Sequence, residues 1–198
     1  MHSERTIELR GLDGQSFRFA PGAACLELTV TGGQGERAAF ETLRTPDDLA
    51  GWLRDALELP VTTTSEADLA VIRRLREAVW HTAGAAAADA PLPPAWVAVI
   101  NECAAAPPPA PYVDLDSAMR WIEPVTFTQA LSTLARDAVD VLSGPSTRRI
   151  RRCTAPDCHL LFLDTSRPGT RRWCSMQRCG NRAKARQFRR RSHEEGPS

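Results

Sequence analysis

The chain has 198 residues, 42% of them hydrophobic, which fits a globular protein with one ordinary domain and a small second unit. It has no apolar run of about 18 residues and no apolar leader, so we expect no membrane span and a cytoplasmic location. The formal net charge of +1 conceals a division: residues 147–191 hold 14 Lys and Arg against two Asp, whereas residues 1–146 hold 11 against 20 acidic residues. The basic part predicts a polyanionic partner and association with the nucleoid.

Short apolar runs near the start predict strands. Apolar residues alternate with polar ones at Ile7 and Leu9 and again at Phe17 and Phe19, and residues 25–30 form a third run. Gly, Asp or Pro bounds each run, as is typical of turns between strands. We therefore expect two or three short strands before the first helix.

Helical patterns follow. Thr45 precedes Pro46 as a cap for a helix that ends by Pro60, and Ser65 opens the clearest amphipathic helix of the chain. On that helix we expect four charged residues to face solvent: Arg73, Arg74, Arg76 and Glu77. A loop over 83–94, a helix over 95–105, two strands around a turn at 116–117 and a helix over 126–142 complete this region.

Four of the six cysteines lie within 27 consecutive residues, as Cys153-x4-Cys158 and Cys174-x4-Cys179. Because the two pairs are separated by fifteen residues, each of two chain turns can supply two of the four cysteine ligands that a tetrahedral structural zinc site needs. His159 adjoins Cys158, and simultaneous binding by neighbours is awkward. The spacing predicts one structural Zn²⁺ on the four cysteines; the alternative is a cluster of reduced cysteines that only packs.

Around these cysteines the pattern predicts a strand over 160–163, a turn over 164–169 and a returning strand over 171–174. Ser175 can then cap a helix over 176–191 that carries Cys179 in its first turn. We predict an α+β protein: a mainly helical N-terminal domain with a few short strands, and a small zinc module like a treble clef. The expected boundaries are 1–145, 146–192 and a disordered tail over 193–198.

The basic helix and its preceding strand predict a nucleic-acid interface. Arginine and lysine would contact the phosphates of double-stranded DNA, and Asn181 or Gln187 would contact base edges if the helix enters the major groove. The candidate residues are Arg171, Arg172, Arg178, Asn181, Arg182, Lys184, Arg186, Gln187, Arg189 and Arg190. Ala183 and Phe188 are expected to face the zinc core. A solvated charged helix, RNA or an acidic protein partner are the alternatives.

The segments Cys153-Thr-Ala-Pro-Asp-Cys158, Arg171-Arg172-Trp173-Cys174 and Cys179-Gly180-Asn181-Arg182-Ala183-Lys184 resemble the CGNR zinc finger, over residues 148–191. This resemblance implies zinc bound by the four cysteines and DNA binding by the finger. In that family the finger follows an ABATE domain, a bacterial region linked to stress-induced transcription regulation, and residues 20–143 are similar to it in the order of elements. The resemblance implies a small ligand there, although Glu27 and Val30 replace the usual Asp and Asn.

Four residues are candidates for that ligand site: Glu27, Thr31, Trp52 and Trp80. Aromatic walls suit small-molecule pockets. Tryptophan at helical spacing is more often part of a core, which is the alternative for Trp52 and Trp80.

The sequence therefore predicts a zinc-dependent, DNA-binding transcriptional regulator whose N-terminal domain senses a small ligand or mediates dimerisation. We do not expect an enzyme, because no catalytic motif is present. The alternative is a small-molecule enzyme within residues 1–143, with the finger as an anchor on nucleic acid or protein. A redox switch at the cysteines is a third reading. A homodimer is left open.

Overall fold

The computed structural model describes residues 5–194, with the side chains described for residues 5–189. It is a mainly helical α+β fold. The helices of this region are α1 (Ala24–Leu28), α2 (Pro46–Leu57), α3 (Glu66–Ala87), α4 (Pro94–Ala104), α5 (Phe127–Leu142) and α6 (Asn181–Glu194). The strands are β1 (Ile7–Arg10), β2 (Ser16–Phe19), β3 (Pro111–Val113), β4 (Met119–Trp121), β5 (Ile150–Arg152) and β6 (Leu161–Leu163). They pair antiparallel as β1–β2, β3–β4 and β5–β6.

Side-chain caps set the starts of the long helices. Thr45 and Ser65 accept hydrogen bonds from the backbone of Asp48 and Asp68 and complete capping boxes, as the sequence predicts. Thr126 does the same at α5. Helix α3 runs to Ala87, beyond the expected loop start at residue 83 and through Gly84, because alanine favours a helix until the proline-containing segment after residue 87 ends it.

The prediction of a third strand over 25–30 is wrong. Residues 24–28 form the helix α1. The four residues from Cys25 to Leu28 are all buried, so they lack the alternation of buried and exposed side chains that a strand with one buried face would show. The Cys25 amide donates to the Asp137 carboxylate at 2.8 Å. Burial on all sides between α3 and α5, rather than on one sheet face, decides the conformation of this short apolar run.

The outward orientation of Arg76 and Glu77 is also wrong. Arg76 is 3% exposed and Glu77 is 5% exposed, and both lie on the inner side of α3. Arg76 pairs with Glu41, and Glu77 pairs with Arg37 at 2.5 Å. Residues 37 and 41 come from the segment before α2, and no local pattern reveals that they meet α3. Buried charges are tolerated here because they are paired.

The main apolar core lies among α1 to α5 and includes Leu26, Leu75 and Leu134. The β5–β6 hairpin of the cysteine region contributes Ile150, Leu161 and Leu163 to the same core. Leu163 passes close to Gly22, whose φ is +81° and where an added Cβ would lie 2.7 Å from the Leu163 carbonyl oxygen. The zinc module is therefore packed into the body of the protein.

A second apolar core surrounds the four clustered cysteines. Phe162, on the opposite face of β6 from Leu161 and Leu163, packs there against Phe17 and Phe19 of β2. Strand β6 thus has one face in each core, and its alternation explains why a three-residue strand is fully buried. Within residues 5–194, no helix is both long and apolar enough to cross a membrane.

Candidate metal centre and nucleic-acid interface

The sulfur atoms of Cys153, Cys158, Cys174 and Cys179 all lie within 4.8 Å of one another, and all four residues are buried. The Sγ atoms of Cys158 and Cys174 are 3.7 Å apart. Tetrahedral zinc with Zn–S bonds of about 2.3 Å requires sulfurs roughly 3.8 Å apart. The cluster therefore fits one structural Zn²⁺ bound by four thiolates, with no ligand position left for a substrate.

Two chain turns and one helical turn hold the cysteines. Cys153 follows β5 and its amide donates to the Leu160 carbonyl, while the Cys158 amide donates to the Ala155 carbonyl to close the first turn. The Cys174 amide donates to the Cys153 sulfur at 3.4 Å. Cys179 lies in a π-helical turn, Met176–Gly180, that leads into α6. Ser175 precedes this turn but makes no side-chain cap.

The hairpin of the module differs from the predicted one. Strand β6 pairs with β5, and residues 171–174 do not form a strand. Asp164, which is buried, holds the chain after β6 in a turn: one carboxylate oxygen accepts from the backbone of Ser166 at 3.0 Å and the other from the backbone of Arg171 at 2.8 Å. Burial opposes ionisation of Asp164, but these hydrogen bonds outweigh it and lower its pKa. Sequence patterns indicated only a turn here.

Crowding of the sulfurs explains why a cation is needed. Hydrogen bonds from Cys158 and Cys174 lower the pKa of Cys153 to about 2, whereas the contact with Cys153 raises the pKa of Cys158 to about 12. The same crowding raises the pKa of Cys174, and burial raises that of Cys179. One thiolate forms readily, and four require a bound dication to compensate them.

Arg171 faces the protein rather than solvent. Its guanidinium donates to the carbonyls of Ala20, Trp173 and Cys174 at 2.9, 3.0 and 2.5 Å, and lies 4.0 Å from the ring centroid of Phe162. Burial lowers its pKa. These contacts use its guanidinium within the protein and fix the zinc loop to the N-terminal segment.

Arg178 and Arg182 also make contacts within the protein. Arg178 lies 3.5 Å from the Asp13 carboxylate and 4.9 Å from the ring centroid of Phe17. Arg182 Nη2 donates to both carboxylate oxygens of Asp157, at 2.8 and 2.7 Å. They connect the start of α6 to the β1–β2 hairpin and to the first cysteine turn, so their charges are largely neutralised.

The remaining candidates lie on the outer surface of the finger. Among the predicted interface residues these are exposed: Arg172, Asn181, Lys184, Gln187 and Arg189. Arg186 is half-buried, and the side chain of Arg190 lies outside the described residues. In the predicted tail, residues 193 and 194 belong to α6, and residues 195–198 lie outside the described residues. Phe188, expected to face the zinc core, is 72% exposed because it lies on the outer side of α6 with Asn181 and Lys184.

The predicted ligand residues are buried or half-buried within the protein. Glu27 is buried and 3.6 Å from Arg5, and Thr31 accepts from Arg76 at 3.1 Å. Trp52 and Trp80 are half-buried against the main core. None of the four lines the cleft of about 850 Å³ between the β1–β2 hairpin, residues 29–40 and the finger.

Residues 22–145 match the ABATE family, described as "Putative stress-induced transcription regulator". Residues 149–192 match the CGNR zinc finger. No curated protein matches the chain. Neither family is of an enzymatic type. Because the first match covers more than half of the sequence and the second contains the cysteine cluster, the chain belongs to the ABATE family and carries a CGNR zinc finger after the ABATE region.

Proposed function

We propose that this protein is a transcriptional regulator that binds double-stranded DNA through its zinc-dependent finger and senses a small ligand through its N-terminal domain. One observation carries the proposal: α6 begins at the zinc site and presents exposed basic and amide side chains on its outer surface. An anchored helix of this kind fits the major groove.

The charge of the finger supports a phosphate-rich partner. Its two acidic residues are both engaged, Asp157 with Arg182 and Asp164 within its own turn. The exposed cations are therefore not neutralised within the finger. The proposed contacts are Arg172, Lys184, Arg186 and Arg189 to phosphates, with Asn181 and Gln187 to base edges.

The proposed domains are a ligand-sensing region, 1–145, and the finger, 146–192. Contacts across this boundary support communication between them, because Leu161 and Leu163 lie in the main core while Phe17 and Phe19 lie beside the cysteines. A change in the N-terminal region would therefore alter the support of the finger directly.

Homodimerisation is a second role that we propose for the N-terminal domain, through the β3–β4 hairpin. Its exposed apolar residues are Tyr112, Val113, Leu115, Met119 and Ile122. Its charged pair, Arg120 and Asp114 at 2.9 Å, is internal, so two copies can meet without repulsion. We expect Val113→Lys to abolish a dimer seen by light scattering, whereas Val71→Lys on α3 leaves it intact; a monomeric wild type contradicts this role.

The function is tested by measuring bound zinc and titrating the protein against random duplex DNA at two salt concentrations. With four to six phosphate contacts, the log–log salt slope should lie at about −4 to −5. A Cys174→Ser, Cys179→Ser variant should lose both zinc and retention. One zinc per chain without salt-sensitive DNA retention would overturn the proposal and direct attention to RNA or protein partners.

A further inference from the structure

A cleft of about 850 Å³ lies where three parts of the chain meet: the β1–β2 hairpin, residues 29–40 and the finger, which contributes its first cysteine turn and the start of α6. Its volume lies within the range of roughly 300–1,000 Å³ that is usual for small-molecule sites. The apolar part of its wall is formed by Leu12, Phe17, Val30, Phe40, Pro156 and Leu160. Such a wall accommodates an apolar body rather than a fully hydrated ion.

The polar part of the wall has an excess of hydrogen-bond donors. Four guanidinium groups line it: Arg10, Arg37, Arg178 and Arg182. Arg10 donates its Nε to the Gly14 carbonyl at 3.0 Å, and its terminal nitrogens have no partner among the described residues. The Nε atoms of Arg178 and Arg182 are likewise without a partner in that part of the chain.

The three carboxylates of the cleft, in contrast, each have a partner. Asp157 accepts two hydrogen bonds from Arg182, Glu36 lies 2.6 Å from His159, and Asp13 accepts from the Gln15 amide and lies 3.5 Å from Arg178. A ligand that supplies donors would have to compete with these partners, whereas a ligand that supplies acceptors would meet the unused terminal N–H groups of Arg10, which is exposed. Guanidinium binds carboxylate and phosphate groups with two parallel hydrogen bonds.

We propose that this cleft binds a small organic anion, with an apolar body against Leu12 and Phe40 and one carboxylate or phosphate group at Arg10. It is a different place from the four residues that sequence patterns indicated. The role of this anion as the sensed ligand rests on the proposed function, but its binding does not.

Two connections link the cleft to the zinc site. Cys158 itself lines the cleft, so an occupant lies directly against the first cysteine turn. On the other side, Arg37 lies 4.1 Å from the ring centroid of Trp80, and Arg152 lies 5.2 Å from the same ring. Arg152 directly precedes Cys153 in the chain. A ligand that displaces Arg37 would therefore change the packing of the residue next to a zinc ligand.

The binding test uses the zinc-loaded full chain and three naphthalene probes of nearly equal size: 1-naphthylacetate, 1-naphthyl phosphate and the neutral 1-naphthylacetamide. Titration calorimetry measures each affinity without DNA. We expect at least one anion to bind roughly tenfold or more tightly than the amide, as loss of a charge-assisted hydrogen bond implies. The better of the two anions distinguishes a carboxylate site from a phosphate site.

Exposed residues supply variants that leave the fold intact. Arg10→Gln should weaken the better anion roughly tenfold, and Leu12→Asp should weaken it at least as much by adding a negative charge to the wall. Arg18→Gln is the matched control, because Arg18 lies on the same hairpin but outside the cleft. Equal affinity for anion and amide, no binding of any probe at about 1 mM, or an equal loss in Arg18→Gln would overturn the proposal.

DNA retention, measured separately on the ligand-free protein, keeps the two proposals distinguishable. Anion binding without DNA retention leaves the cleft site standing and removes the proposed function. DNA retention without anion binding does the reverse. When both hold, a change of the DNA affinity by the bound anion identifies it as the class of ligand that is sensed.

Discussion

Arg76 binds Glu41 through two parallel hydrogen bonds, with Nη1 2.8 Å from Oε1 and Nη2 2.6 Å from Oε2. Arg76 also donates to the Thr31 hydroxyl at 3.1 Å and is 3% exposed. Beside it, Arg37 pairs with Glu77. These contacts fasten residues 31–41 to α3, and four residues of the same segment line one wall of the cleft: Gly32, Glu36, Arg37 and Phe40.

Replacing Arg76 should therefore be costly. Arg76→Met leaves Glu41 without its partner and places Glu77 in a buried site with one cation fewer, so we expect a loss of about 3–5 kcal/mol of unfolding free energy. Arg74→Met is the matched control on the same helix: Arg74 is exposed and 3.5 Å from Glu102, and its loss should cost about 0–1 kcal/mol. Urea unfolding measures both, and equal costs would contradict a structural role for the Arg76–Glu41 pair.

The same pair predicts a dependence of stability on pH. Burial opposes ionisation of Glu41, but the hydrogen bonds and charge of Arg76 outweigh it and hold its pKa below the ordinary 4.5. A lowered pKa in the folded state means that this contribution is complete above pH 4.5 and is lost as the pH falls through the folded-state pKa. We expect the unfolding free energy to fall below pH 4.5, and to fall less in Glu41→Gln. Parallel acid profiles of the two proteins would contradict the assignment.

Local patterns were sufficient for features that depend on neighbouring residues. The capping residues Thr45 and Ser65 begin their helices as predicted, since a cap involves only the next three residues. The four cysteines come together as their spacing predicts, because two short-range pairs can supply the tetrahedral set of ligands that zinc requires. The ABATE and CGNR resemblances are confirmed by the family matches.

Features that depend on distant residues could not be predicted in this way. The burial of Arg76 depends on Glu41, 35 positions earlier. The inward orientation of Arg171 depends on the Ala20 carbonyl, 151 positions earlier. In both cases an arginine that looks solvent-exposed or phosphate-binding by its local surroundings is used inside the protein. The pairing of β6 with β5 likewise follows from packing against the main core.

Loss of zinc should loosen the β1–β2 hairpin as well as the finger. Phe17 and Phe19 pack against the cysteine cluster, so the core that holds the hairpin depends on the metal. We expect Cys174→Ser to lose zinc and to become sensitive to trypsin after Arg10 and Arg18, which mass spectrometry locates. Cys103→Ser is the control, because Cys103 is half-buried beside the main core. A hairpin that stays protected after loss of zinc would show that the main core alone holds it.

The neighbours Arg171 and Arg172 should separate structure from DNA binding. Arg171→Met leaves the carbonyls of Ala20, Trp173 and Cys174 without their donor, and we expect it to lower the unfolding free energy by about 2–4 kcal/mol. Arg172 is exposed, so Arg172→Met should change stability by less than about 0.5 kcal/mol. In DNA titrations Arg172→Met should instead reduce the salt slope by about 1, the effect of one lost phosphate contact.

Arg171 and Arg172 should differ because a guanidinium that donates to the protein's own carbonyls is not available to a phosphate. Arg171 donates to such carbonyls in the structure. Arg171→Lys sharpens the test: it keeps the positive charge but cannot supply the planar set of donors, so most of the stability loss should remain. Unfolding in urea and DNA titration at several salt concentrations, on zinc-loaded protein, measure the two effects independently. If Arg171→Lys retained full stability while Arg172→Met left the salt slope unchanged, both the structural role of Arg171 and the proposed phosphate contact of Arg172 would be wrong.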